Sequence, residues 1–352
     1  MLHVALVTFP FFALVLAGFV AAYRGMLPID AIPGLNGFVL FFALPCMLYR
    51  FGASTPLVQL LDANVLLTYV LCALLVVAFT VAVTLSPRIG WNDAAFGALV
   101  AAFPNTGFMG VPLLVALLGP QAAGPAIVTI LVDMVMTSSL CIALSRLVRG
   151  PAAGPGQAQG AVAQTTLLKG ALKAAMKGVL TNPLPWSILL GACASAMAFT
   201  LPKPLAQTLG LLADAASPVA LFTIGAVLAR TQKRATTAKK SDLAMKAAGA
   251  PARWPDHSAQ TGWSDVLPVC AIKLVLHPLL VLLVGATLRQ LGLPLTQFAL
   301  VVMVLVAALP SASNVSLLAE RFGADTGRIA RIILVTTAVA FFTFAAAVSL
   351  LV

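Results

Sequence analysis

Apolar residues run through this chain in stretches of about twenty, separated by short polar links and without the two-residue alternation of half-buried strands. A helix needs about 20 apolar residues to cross a hydrocarbon core of about 30 Å. The pattern therefore predicts ten membrane-spanning helices: Met1 to Ala22, then near residues 34–52, 64–85, 94–118, 125–148, 183–200, 205–229, 265–288, 296–319 and 328–351. No Lys or Arg precedes the first apolar stretch, which is therefore read as a retained span and not as a cleaved signal peptide. Two longer polar stretches, Arg149–Asn182 and Arg230–Gly262, have the composition of links, not of domains.

Composition agrees with this reading. Of 352 residues 61% are hydrophobic and 9% charged, against about 25% charged in a soluble domain, and the mean hydropathy is +1.04. A soluble globular protein and a porin-like barrel are both excluded. The net charge of +11 does not mark a nucleic-acid binder, because the basic residues lie in the links with no aromatic platform beside them. They report topology instead. The odd-numbered links carry 17 of the 21 Lys and Arg and the even-numbered links 3, so the odd links face the cytoplasm and both termini the periplasm. The five cysteines lie in apolar runs without paired spacing and read as small core residues, with no disulfide frame or zinc site. Within 149–182, Leu167, Leu168, Leu172, Met176 and Leu180 form one stripe and Lys169, Lys173 and Lys177 another, the pattern of an interfacial helix on anionic lipid. Asn182 and Pro183 would then cap and start the sixth span.

The chain also repeats itself. Val100-Ala-Ala-Phe-Pro104 recurs as Val306-Ala-Ala-Leu-Pro310, and Leu44-Pro45 with Gly52-Ala53 matches Ser217-Pro218 with Gly225-Ala226 at an offset of 173. Residues 1–148 and 183–352 are thus two five-span repeats joined by the linker 149–182. Five is odd, so the second copy enters from the opposite side, an inverted repeat of the transporter kind. Pro104 and Pro310 fall near mid-membrane, where proline breaks a helix. Asn105, Thr106 and Gly107 follow the first break and Ser311, Ser313 and Asn314 the second. Unwound backbone at that depth must line a polar cavity, and the N-terminus of each following half-helix favours an anion. Two such ends suit one small carboxylate. A proline kink satisfied by neighbouring helices is the competing reading.

Asn105-Thr-Gly-Phe-Met-Gly-Val-Pro-Leu113 resembles the fourth-span signature of the auxin efflux carrier family, and Leu309-Pro-Ser-Ala-Ser-Asn-Val315 with Ala319-Glu-Arg-Phe-Gly-Ala-Asp325 resembles its ninth-span region. The likeness extends over the whole ten-span layout, and bacterial members include proteins labelled malonate transporters. It implies an all-α membrane protein with a fold like that of the bile acid and sodium symporters. Helices 4 and 9 would cross in a moving domain of spans 3–5 and 8–10, against a scaffold and homodimer interface of spans 1, 2, 6 and 7. A bacterial inner-membrane location follows from the same resemblance. The long hydrophilic loop of plant members is absent, so regulation through it is not implied, and so compact a chain points away from auxin itself.

Three ionisable groups sit in the moving spans, Asp133, Lys273 and His277. Charge at mid-membrane is costly and marks function by default. At about 1.5 Å per residue, Asp133 lies roughly 12 Å below one membrane face and Lys273 roughly 12 Å above the other. A direct Asp133–Lys273 pair would be strained, whereas His277, one turn further on, approaches the level of Asp133 and could share a proton with it. Lys273 is also open to snorkelling, and His277 to simple packing. Asp214 reads as a scaffold hydrogen-bonding residue. No His-Glu-x-x-His motif, phosphate loop or intramembrane aspartyl-protease context is present, so an intramembrane hydrolase is a weak alternative. The expectation is a secondary carrier for a small organic carboxylate, with no cofactor, coupled to sodium, a proton or neither. An anion channel is its nearest competitor.

Overall fold

Apart from one isolated β-bridge, every element is helical among the residues that the computed structural model describes, 2–54, 62–146, 183–247 and 262–352. The helices are α1 (Leu2–Tyr23), α2 (Ile29–Ser54), α3 (Ala63–Thr84), α4 (Trp91–Ala102), α5 (Thr106–Leu118), α6 (Pro120–Arg146), α7 (Pro183–Ala196), α8 (Lys203–Ala247), α9 (Trp263–Gln290), α10 (Gln297–Ala307), α11 (Val315–Phe322) and α12 (Thr326–Leu351). Six are long and apolar enough to cross a membrane: α2, α3, α6, the Lys203–Arg230 part of α8, α9 and α12. Shorter apolar helices include α5, α10 and parts of α1 and α7.

Prolines shape the long helices. Widened π turns at Val39–Ala43, Thr106–Gly110 and Ile272–Leu276 each end two residues before a proline, Pro45, Pro112 and Pro278. Proline removes one helical N–H and its ring crowds the carbonyl four residues back, and a wider turn absorbs both defects. The fourth such turn, Asp133–Thr137, has no proline; there Ser138 Oγ donates to the Asp133 carbonyl at 2.8 Å.

Glycines set the closest helix approaches. A Cβ on Gly18 of α1 would lie 1.8 Å from the Phe222 carbonyl oxygen of α8, and one on Gly225 of α8 would lie 1.8 Å from that of Val15. The α2–α7 contact is built the same way: a Cβ on Gly191 would meet the Tyr49 carbonyl at 2.3 Å, and one on Gly52 that of Ile188 at 2.7 Å. Every member of the first set has its counterpart in the second 173 residues away. Small residues let backbones touch where lipid supplies no hydrophobic drive between helices.

Arg328, one of the 17 Lys and Arg assigned to the odd-numbered links, is 1% exposed. Its Nη1 donates to the Asp93 carbonyl at 2.8 Å and its Nε to that of Asp265 at 3.1 Å, joining the starts of α4, α9 and α12. Gly97 leaves room for the guanidinium, since a Cβ there would sit 2.9 Å from Nη1.

Three expectations need correction or fall outside. The polar stretch from Arg230, read above as a link, is helical over its first half: α8 continues through it to Ala247, because 231–247 contain neither Gly nor Pro and are rich in Ala and Lys. Cys193 is exposed and Cys46 half-buried, so not all five cysteines are core residues. The amphipathic stripe at 167–180 and most of the link after Arg50 lie outside the described residues.

Candidate functional site at the crossing of two broken helices

The two breaks foreseen at Pro104 and Pro310 meet. Phe103 is extended, and Pro104 pairs with Ser311 in the antiparallel bridge. Asn105 N–H donates to the Pro310 carbonyl at 2.8 Å and Ala312 N–H to that of Phe103 at 3.0 Å. Each unwound segment thus supplies partners that the other lost, which is how non-helical backbone persists at this depth. Pro104 has no N–H for the Val100 carbonyl; Ser311 Oγ takes that place at 2.8 Å. Ser311 N–H in turn donates to Thr336 Oγ1 of α12 at 3.3 Å. Neighbouring segments do satisfy the freed groups, as in the competing reading of a proline kink; what that reading does not include is that the neighbour is the other break, and that the repair is mutual.

The anticipated binding residues divide by burial. Asn105, Thr106 and Ser311 are buried, whereas Gly107, Ser313 and Asn314 are partly exposed. Asn314 takes the N-cap position of α11, and its Oδ1 is buried with no hydrogen-bond partner; Thr106 Oγ1 is in the same condition. A cleft opens beside Ser313 and Asn314, with Asn36 of α2, Ile224 and Arg230 of α8, and Phe108 of α5 on its walls. Its enclosed space is about 20 Å³, room for a water molecule and not for an organic acid. Ser217 Oγ of α8 reaches the Phe108 carbonyl at 3.4 Å, a direct tie between α8 and the first break.

Behind the crossing lies the cluster of ionisable residues, and its pairing differs from expectation. Asp133 does not meet His277. Its carboxylate accepts from Tyr69 Oη at 3.0 Å and Thr137 Oγ1 at 3.1 Å. Lys273 does not snorkel: it is fully buried, donates Nζ to the Ala307 carbonyl at 3.0 Å, and lies 3.3 Å from His277 Nδ1. The physical reason is the break itself, since Ala307 ends α10 with an unpaired carbonyl that a cation satisfies well. As expected, no direct Asp133–Lys273 ion pair forms, although the two are near enough to feel each other's charge. The rings of Tyr69 and His277, 6.2 Å apart, close the cluster. Tyr69 went unnoticed in the sequence; a tyrosine hydroxyl in the middle of an apolar run was its only signal. Asp214 pairs with Arg50 at 2.7 Å on the exposed side of α2 and α8, in keeping with a scaffold role, and shares no site with Asp133.

Comparison with known proteins finds relatives over nearly the whole chain. The family model described as "Membrane transport protein" matches residues 3–348. A Rhizobium meliloti (strain 1021) protein named "Putative malonate transporter" is 28% identical over 330 residues, 93% of this chain and 89% of its own length. The Escherichia coli (strain K12) protein named "Uncharacterized transporter YfdV" is 25% identical over 328 residues, 90% of this chain and 88% of its own length.

Proposed function

We propose, for a chain that belongs to the membrane transport protein family of the auxin efflux carriers, that it is a secondary carrier of a small organic carboxylate in the bacterial inner membrane. The observation that carries the reading is the crossing: two unwound segments pair at Pro104 and Ser311, and Asn314, whose carboxamide is not spent on capping α11 and can turn its amide N–H outward, borders a cleft lined by no acidic residue. Malonate is the first substrate to test, because a relative carries that word in its name.

The architecture in this reading is ten spans in two inverted repeats, 1–148 and 183–352. Equivalent glycine contacts 173 residues apart support it, as do two breaks with the same Val-Ala-Ala-x-Pro lead-in. Spans 1, 2, 6 and 7 form the scaffold and the homodimer interface, and spans 3–5 and 8–10 move against it as one body, presenting Asn105, Thr106, Gly107, Ser311, Ser313 and Asn314 to each side in turn. The Arg328 contacts, which tie three of those spans, favour rigid movement. Ion coupling belongs to Asp133, Lys273 and His277. Of sodium and a proton, the proton fits better, since an ammonium group already occupies the Ala307 carbonyl. An anion channel would need a continuous path, and a cleft of water size favours a carrier.

The test is uptake of labelled malonate and related acids into vesicles reconstituted with the protein. Saturable, exchangeable uptake of a carboxylate is expected. A preference for cations, or unitary currents in place of saturable exchange, would overturn the reading.

A further inference from the structure

The cleft beside the second break has two unlike walls. One belongs to the broken helix and presents neutral groups, the hydroxyl of Ser313 and the carboxamide of Asn314 at the start of α11, while the Ser316 hydroxyl donates to the Ser313 carbonyl at 2.8 Å. The other belongs to α2 and α8 and carries Asn36 and the single charged side chain of the lining, Arg230. Asn314 can turn its amide nitrogen or its oxygen into the cleft, as the two positions are interchangeable by rotation. One carboxylate can therefore be met by the Asn314 amide, the Ser313 hydroxyl and the helix dipole, all uncharged. A second carboxylate one methylene away would need a full positive charge to repay its desolvation, and a guanidinium matches a carboxylate with two parallel N–H donors.

We infer that Arg230 is a specificity-determining residue that makes the cleft select short dicarboxylates over monocarboxylates, one carboxylate lying on the Ser313–Asn314 side and the other on Arg230. This rests on the carboxylate-carrier reading above, adds to it a substrate class and a residue, and requires the cleft, which has room for one water molecule in this conformation, to widen as the two bodies move apart. It also gives the substrate a mechanical role. Asn314 stands on the broken helix and Arg230 on a scaffold helix, so a dianion bridges the two bodies while a monoanion leaves one of them unbound.

The experiment compares labelled malonate with labelled monomethyl malonate, which keeps the skeleton and loses one charge. In vesicles, the unaltered protein is expected to show a KM for malonate at least about tenfold below that for the half ester. Arg230→Gln should raise the malonate KM by about tenfold or more and leave the half ester unchanged, and Arg230→Lys should fall between. The half ester thus reports whether the Gln variant is folded and active. Equal effects on both acids, or no effect on malonate, would overturn the assignment of Arg230 while leaving the carrier intact. Transport of neither acid by the unaltered protein would instead overturn the carboxylate reading itself. A measurement that needs no variant decides the same point: acetate and monomethyl malonate should compete poorly with malonate uptake, and equal competition would refute the role of charge.

Discussion

Of the contacts between residues 1–148 and 183–352, the glycine crossings keep the correspondence seen in the sequence and the crossing of the broken helices does not. Where α1 crosses α8 and α2 crosses α7, the contacts are the same to the residue, Gly18 and Gly225 in one, Gly191 and Gly52 in the other. Where the broken helices cross, equivalent positions make different contacts. By burial the two breaks match position for position, Pro104–Thr106 and Pro310–Ala312 being buried and Gly107–Phe108 and Ser313–Asn314 partly exposed; they differ in side chain and in how the orphaned carbonyl is met. The orphaned Val100 carbonyl borrows a hydroxyl from the other repeat, whereas Val306, four residues before Pro310, is met within its own turn by Leu309 N–H at 3.1 Å. Pure packing has no reason to depart from the symmetry of the sequence. In the proposed carrier, a site that faces one side at a time has such a reason.

The largest effect should come from breaking the symmetric contact. Gly18→Ala places a methyl 1.8 Å from backbone oxygen, and helices held apart at their closest point lose about 3 kcal/mol, the upper end for overpacking. Gly191→Ala, at 2.3 Å from its carbonyl, should behave alike. Thermal unfolding in detergent measures both. A large loss at one glycine and none at the other would mean the two crossings are not equivalent.

Much of this was legible before any coordinates. Period and length gave the helices, and the two Val-Ala-Ala-x-Pro segments gave the breaks and their partnership. What could not be read was who satisfies whom. Distance along a helix axis suggested Asp133 with His277, but axis depth says nothing about azimuth, and Asp133 turns to Tyr69. Lys273 was drawn to Ala307 by a carbonyl that exists only because Pro310 stops α10, a demand that arises in three dimensions. Arg328 looked like one more positive link residue, yet it is buried on the carbonyls of Asp93 and Asp265 from two other helices. Hydropathy also ended the seventh span at 229, where the membrane reading ends but helix propensity does not.

A smaller effect should separate the two sides of the crossing. Asn314→Leu removes the carboxamide at the cleft and should cut malonate uptake by about tenfold or more, the loss of one charge-assisted hydrogen bond, with little change in unfolding temperature. Thr106→Val removes a buried hydroxyl that has no partner in this conformation, so stability should hold or rise. Its effect on uptake tests alternation: a carrier that exposes each break in turn needs Thr106 in its other state, and uptake should fall. Unchanged uptake by the Thr106 variant would mean that the Thr106 hydroxyl meets substrate in neither state.

The smallest effect concerns the residues immediately after the two prolines, Asn105 and Ser311, which the repeat makes equivalent and the structure does not. Ser311 Oγ is the donor that Pro104 withholds from the Val100 carbonyl, and Ser311 itself is 1% exposed, so water cannot replace it. Ser311→Ala therefore leaves a buried acceptor short of a partner and should cost about 1 kcal/mol of stability. Among the described residues the Asn105 side chain makes no such bond; its backbone N–H and carbonyl do the holding, to Pro310 and to Met109 and Gly110. Asn105→Ala keeps all of these and should leave the unfolding temperature nearly unchanged while lowering uptake. Equal destabilisation by the two alanines would show that the hydroxyl on Val100 is not what holds the first break, and that the backbone bridge between Pro104 and Ser311 suffices by itself.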